Sequence, residues 1–260
     1  MSFADHSRFE LRRALTAARA LAKDPDDLPQ VFTVIEALSG GTVVRMARRF
    51  AGSTAGRRLL AEKPDIVALL EDRAALRRLP DGSVGRAYLD FVEAEGISPS
   101  GIRMAGAQGM TNRPIPPPFD YVHARMRDTH DLWHAVTGYK GDVLGETALL
   151  AFILAQTKNP GIALIVGVGL LKTLEVREAR GLIAQGFLRG WRAAWLPAQA
   201  WESLLALPLS EVREQLKLGA PPEYDPLRSA EIRQHEAASG SRKTLFVARA
   251  AKRKAVTASA

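Results

Sequence analysis

Cysteine is absent from the 260 residues. That excludes disulfides and thiolate metal sites, so a bound metal would be held by nitrogen and oxygen alone. It also fits a reducing compartment. Strand signals are nearly missing, because no alternating β-branched run of useful length occurs. Uninterrupted apolar runs are missing as well. The most apolar part, residues 147–171, is cut by Gln156-Thr157-Lys158-Asn159-Pro160. Both pieces are shorter than the roughly 20 residues of a membrane span and read as buried helices or as the wall of an apolar tunnel. The opening stretch MSFADHSRFELRR lacks the apolar core of a signal peptide, so export is not expected.

Acidic residues are lacking beyond Glu236, where Arg242, Lys243, Arg249, Lys252, Arg253 and Lys254 are the charged side chains. Removing those six from the net charge of +8 leaves +2 on residues 1–236. A nearly neutral body with a cationic tail is not a basic groove, which argues against a nucleic-acid partner. The tail reads as a flexible extension able to touch anionic lipid or RNA.

What is present is helical periodicity with strong stop signals. Residues 9–22 carry Leu11, Leu15, Ala18 and Leu21 at three- and four-residue steps. Residues 30–38, 42–50, 65–79 and 83–95 follow as helices, separated by Gly40-Gly41, Pro64 and Pro80-Asp81-Gly82. Residues 97–118, rich in glycine and ending in Pro116-Pro117-Pro118, read as an irregular lid or spacer. One helix is then predicted over 120–137, closing at Gly138, and Asp142 caps the next. Gly161, Gly167, Gly169 and Gly181 follow no strand, so they read as close-packing points rather than a nucleotide-binding loop. Trp133, Trp191, Trp195 and Trp201 are assigned to the core. The run 221–226, with three prolines, reads as the exit from the packed domain. The expectation is an all-α, single compact helical domain over residues 1–226, with an apolar tunnel or groove and a basic tail over 227–260.

The chemistry concentrates in one place. His130, Asp131, His134 and Glu146 put four candidate ligands or proton carriers within seventeen residues of a chain with five histidines. A helix turns about 100° per residue, so His130 and His134 share one face, a turn apart. That geometry offers two imidazoles to one divalent cation. Gly138 and a short turn reverse the chain, so Glu146 in the first turn of an antiparallel helix can face His134. The competing reading packs both histidines at a helix interface and pairs Asp131 and Glu146 with basic residues such as Arg127. His123, one heptad earlier, reads as a surface or packing residue. A zinc-peptidase reading is rejected, because Asp131 is one methylene shorter than the glutamate that reaches a metal-bound water.

The motif HDLWH followed by GDVLGE resembles the signature of the fourth ubiquinone-biosynthesis (Coq) protein family, the coenzyme Q assembly and C1-decarboxylase proteins. LPDGSVGRAYLDF at 79–91, RMRDTHDLWH at 125–134 and GWRAAWLPAQAWESLLALPLSEVREQL at 190–216 are similar to its other passages. The resemblance covers about residues 30–217 and implies a largely helical protein of ubiquinone biosynthesis. It implies a divalent ion, zinc first with iron or manganese compatible, held by His130, Asp131, His134 and Glu146, which are also the implied catalytic residues. It implies removal of the C1 carboxylate of a polyprenylated 4-hydroxybenzoate derivative, with a hydroxyl installed in its place. The implied partners are that lipid, other ubiquinone-biosynthesis proteins and a peripheral membrane surface, with homo-oligomerisation compatible. The chain departs from the eukaryotic pattern in lacking a mitochondrial import sequence, so a cytoplasmic protein, peripheral on the inner face of the plasma membrane, is expected. The alternative is a non-catalytic scaffold or prenyl-lipid-binding component with a structural metal.

Overall fold

Side chains placed to cap helix ends recur along the chain. The computed structural model describes residues 9–24, 26–109, 117–173 and 176–239. Helices follow one another as α1 (Leu11–Lys23), α2 (Leu28–Ala37), α3 (Thr42–Gly52), α4 (Thr54–Glu62), α5 (Ile66–Glu71) and α6 (Arg73–Arg78). Then come α7 (Val84–Glu95), α8 (Pro99–Gly109), α9 (Phe119–Asp128), α10 (His130–Thr137) and α11 (Val143–Thr157). The last are α12 (Pro160–Lys172), α13 (Arg177–Arg192), α14 (Trp201–Leu204), α15 (Leu209–Gln215) and α16 (Ser229–Ser239). No strand occurs among the described residues, and the protein is all-α as expected. No described helix is long and apolar enough to cross a membrane.

Caps mark these helices locally. Asp27 accepts from the Gln30 N–H, Ser83 from Arg86, and Asn159 from Gly161 and Ile162, satisfying amide groups that a helix start leaves unpaired. Gly96 and Gly138 end α7 and α10 with φ of 66° and 83°, where a side chain would be strained.

One contiguous core runs from Ile66 to Leu218. At its centre α13 lies directly on α11. A Cβ on Gly186 would fall 2.2 Å from the Ala148 carbonyl oxygen, and one on Gly190 would fall 2.3 Å from that of Phe152. Two glycines a turn apart thus bring the backbones together. Gly161 does the same for α12 on α2, its Cβ position lying 2.5 Å from the Val34 carbonyl. By contrast Gly167 and Gly181, expected at close contacts, face open space.

The structure corrects four further expectations. Residues 99–109 of the stretch expected to be irregular form α8; positions 110–116 lie outside the described residues. Its glycines are compatible with a helix because Gly109 abuts the Pro29 carbonyl and Gly106 abuts Arg127, contacts that offset the low helix propensity. The helix predicted over 120–137 breaks at Thr129, where the backbone N–H is shared between the Arg125 and Arg127 carbonyls and the hydroxyl bonds that of Arg125 at 2.9 Å. Trp191 is 63% exposed rather than core. Finally, the chain does not leave the packed body at 221–226: Leu227 is fully buried and Ile232 nearly so. The six basic residues beyond Glu236 lie outside the described residues.

Candidate metal centre

Helix α10 places both histidines on one face, their ring centroids 4.9 Å apart. Gly138 stops that helix, and Asp142 starts α11 by accepting the Leu144 and Gly145 N–H groups. The reversal brings Glu146 back over the imidazoles. Its Oε1 lies 3.1 Å from His134 Nε2 and its Oε2 lies 3.9 Å from His130 Nε2. Ligand atoms of His130, His134 and Glu146 all fall within 4.8 Å of one another.

The other nitrogen of each ring decides what the site presents. His134 Nδ1 is 2.9 Å from the Tyr139 carbonyl, and His130 Nδ1 is 3.3 Å from Asp131 Oδ1. A carbonyl and a carboxylate can only accept, so each Nδ1 donates its proton and each neutral ring turns an Nε2 lone pair inward. His134 Nε2 is buried with no hydrogen bond of acceptable alignment, although Glu146 Oε1 is 3.1 Å away. Two lone pairs and a carboxylate aimed at one point repel unless a cation or proton lies between them. The donor set therefore fits a divalent metal, with partners behind the rings of the kind that orient metal-binding imidazoles.

Three of the four predicted ligands converge. Asp131 stands beside them and orients His130 from behind. His123 is outside the group, on α9 next to Arg127, and its pKa is lowered by burial and then by that guanidinium. The packing alternative fails on its pairings, since Arg127 bonds Asp128 at 2.9 Å, leaving Asp131 and Glu146 to the histidines. The centre is closed on one side and open on the other: the His134 side chain is 0% exposed, whereas His130 is 21% and Glu146 41% exposed.

Charge follows from this geometry. Burial alone would raise the Glu146 pKa, but the charge of His134 close by, with that of His130 behind it, pulls it down to about 2. Burial opposes a charge on His134, yet Glu146 outweighs it and the net shift is upward.

Three contributions lay beyond reach of the motif. Phe91 of α7 stacks on His134, centroids 4.9 Å apart and planes 11° from parallel, fixing the ring. The Tyr139 carbonyl sets the His134 tautomer. Tyr88, one turn before Phe91, buries a hydroxyl that has no hydrogen-bond partner among the described residues, and burial followed by the Asp131 charge raises its pKa. Tyr88 and Phe91 belong to the passage over 79–91, but they were visible there only as apolar positions.

The fold and site define an all-helical protein with a two-histidine, one-carboxylate centre at the junction of two helices. The chain belongs to the family described as Coenzyme Q (ubiquinone) biosynthesis protein Coq4, whose pattern matches residues 7–222. It is 32% identical over 200 residues to the mitochondrial ubiquinone biosynthesis protein coq4 of Sclerotinia sclerotiorum, covering 75% of this chain and 68% of that one. The protein of the same name from Talaromyces stipitatus is 30% identical over 215 residues, covering 80% and 72%. A crystal structure from Nostoc punctiforme, of a protein provisionally described as acting in ubiquinone biosynthesis, shares the fold. Its TM-score is 0.59 at 23% identity, covering 82% of this chain and all of that one. The role in ubiquinone biosynthesis expected from the motif is thereby met.

Proposed function

We propose that the protein is a metal-dependent enzyme that removes the C1 carboxylate of a polyprenylated 4-hydroxybenzoate derivative in ubiquinone biosynthesis. The observation that carries this reading is the set of inward-facing nitrogens on His130 and His134 opposite Glu146, closed by protein on one side only. Three protein ligands with an open side suit a catalytic rather than a structural site. A divalent cation held there would supply positive charge for the substrate's oxygens and for the negative charge developing on the ring during decarboxylation. His130 and His134 bind through Nε2, Glu146 balances the charge, and Asp131 and the Tyr139 carbonyl hold the rings in orientation. Phe91 covers the buried face of His134 and excludes water there. Two imidazoles and one carboxylate suit zinc and equally suit iron or manganese; replacing the carboxylate by hydroxyl requires an oxidant such as dioxygen.

Two features support a lipid-tailed substrate met at a membrane surface. The apolar helices α11 and α12 follow directly from the centre, and an apolar tunnel or groove beside them is the proposed place for the prenyl tail. On α13, Phe187, Leu188 and Trp191 are exposed beside Arg180, Arg192 and Lys158, a pairing of apolar and cationic groups suited to an anionic bilayer face. Other ubiquinone-biosynthesis proteins are the proposed partners, and a cytoplasmic location at the inner face of the membrane is the proposed setting.

The test is element analysis of the purified chain combined with single-turnover incubation with a prenylated 4-hydroxybenzoate derivative and dioxygen. One equivalent of metal and loss of the carboxylate are expected, both abolished in folded His130→Ala and His134→Ala proteins. Metal without turnover would favour the scaffold that holds a prenyl lipid beside a structural ion.

A further inference from the structure

We infer that Tyr224 is a positioning residue for the metal centre, acting through Asp142 on the first turn of α11 and so on Glu146. The inference rests on the metal reading above. Tyr224 itself lies beyond the family match, which ends at residue 222.

Residues 221–228 lie as a strap across the turn joining the two ligand-bearing helices. The Lys140 N–H donates to the Tyr224 hydroxyl at 2.8 Å, and that hydroxyl donates to Asp142 Oδ2 at 2.8 Å. Asp142 Oδ1 in turn accepts the amides of Leu144 at 3.0 Å, Gly145 at 3.4 Å and Leu227 at 2.9 Å. Asp142 is almost wholly buried, so water does not readily replace these donors. The strap is also seated by shape. A Cβ on Gly138 would meet Pro221 at 2.4 Å, and one on Gly145 would meet the Tyr224 hydroxyl at 2.3 Å. Beyond Tyr224, Arg228 ties the strap to Glu95, which also accepts the Gly141 N–H at 3.3 Å.

The consequence follows from chain geometry. Glu146 is one residue past Gly145, so the direction of its side chain is set by the turn that Asp142 caps. The Tyr224 hydroxyl fixes the rotation of the Asp142 carboxylate. Metal–ligand distances tolerate only about 0.2 Å, so a small pivot of that first turn is felt at the ion. The same hydroxyl accepts the Lys140 N–H, in the peptide whose carbonyl belongs to Tyr139 and holds His134, so the strap also bears on the histidine side of the turn.

Zinc competition against a chelator, and the visible absorption of the cobalt-loaded protein, test this on the full chain. Tyr224→Phe is expected to raise the zinc Kd about tenfold and to alter the cobalt spectrum. Metal-free circular dichroism and melting temperature should remain within the change that Arg228→Gln produces. Arg228→Gln frees the strap from Glu95 without touching Asp142, and its zinc Kd should stay within about twofold of the native value. Unchanged zinc affinity and cobalt spectrum in Tyr224→Phe overturn the inference while the metal reading stands. Equal weakening by Arg228→Gln also overturns it, because the strap and not the hydroxyl would then matter. A native chain that binds zinc no better than His134→Ala removes both.

Discussion

Glycines on α13 should respond to one substitution with opposite signs. Gly190→Ala places a Cβ 2.3 Å from the Phe152 carbonyl oxygen and 2.9 Å from that residue's carbonyl carbon and Cα. An ordinary carbon–oxygen contact is about 3.3 Å, so α13 and α11 must part by about 1 Å. The obstacle is backbone, with no side-chain rotamer able to yield. Helix propensity favours alanine by about 1 kcal/mol, but overpacking of this kind costs about 1–3 kcal/mol or more. An obstacle that cannot yield puts the cost in the upper part of that range, about 2–3 kcal/mol, so a net loss of about 1–2 kcal/mol follows, which for a chain of this size lowers the melting temperature by roughly 2–8 °C. Gly181→Ala on the same helix meets nothing within 4 Å and keeps only the propensity gain. It should raise the melting temperature by roughly 2–4 °C. Thermal unfolding of both variants, followed by circular dichroism at 222 nm, reads the comparison directly. Two shifts of the same sign would refute the close backbone packing of α13 on α11.

Two other expectations concern the metal centre. Glu146 holds His134 in its protonated form to a higher pH than an ordinary imidazole, and a metal must displace that proton. Apparent zinc affinity should therefore rise with pH up to the His134 pKa, by at most about tenfold per pH unit, and level off above it. Glu146, ionised down to about pH 2, adds no slope near neutrality. Affinity that is flat between pH 5 and 7.5, or that falls with rising pH, would contradict this assignment. Asp131→Asn keeps the shape but weakens the acceptor behind His130, so zinc affinity should fall by about 10–100-fold with the melting temperature of the metal-free protein nearly unchanged; a variant that binds zinc as tightly as the native chain would show that Asp131 does not orient the ring.

Much of this protein was legible along the chain. Helical periodicity, caps such as Asp27, Ser83 and Asp142, and the stop at Gly138 are relations among residues a few positions apart, so their physics is contained in short windows. The pairing of His130 with His134 and the return of Glu146 belong to the same class, because one turn of helix and one short reversal determine them. The division of roles inside the motif did not. Asp131 was grouped with the ligands, and only the orientation of the rings shows it standing behind His130. Distances beyond the local window were decided by packing alone. Trp191 looked like core by composition, yet α13 turns its glycine face inward and leaves that ring outside. Residues 99–109 looked irregular because glycine disfavours helices in isolation, and contact with Pro29 and Arg127 supplies what propensity withholds. The three prolines of 221–226 looked like an exit, since proline ends regular structure; nothing local could reveal that Tyr224 and Leu227 fold back onto Asp142. Sequence by itself determined an all-helical chain with a candidate metal motif. Tertiary structure decided which nitrogens face inward, what holds them, and which distant segment closes the turn between them, because those depend on groups up to about eighty residues apart meeting in space.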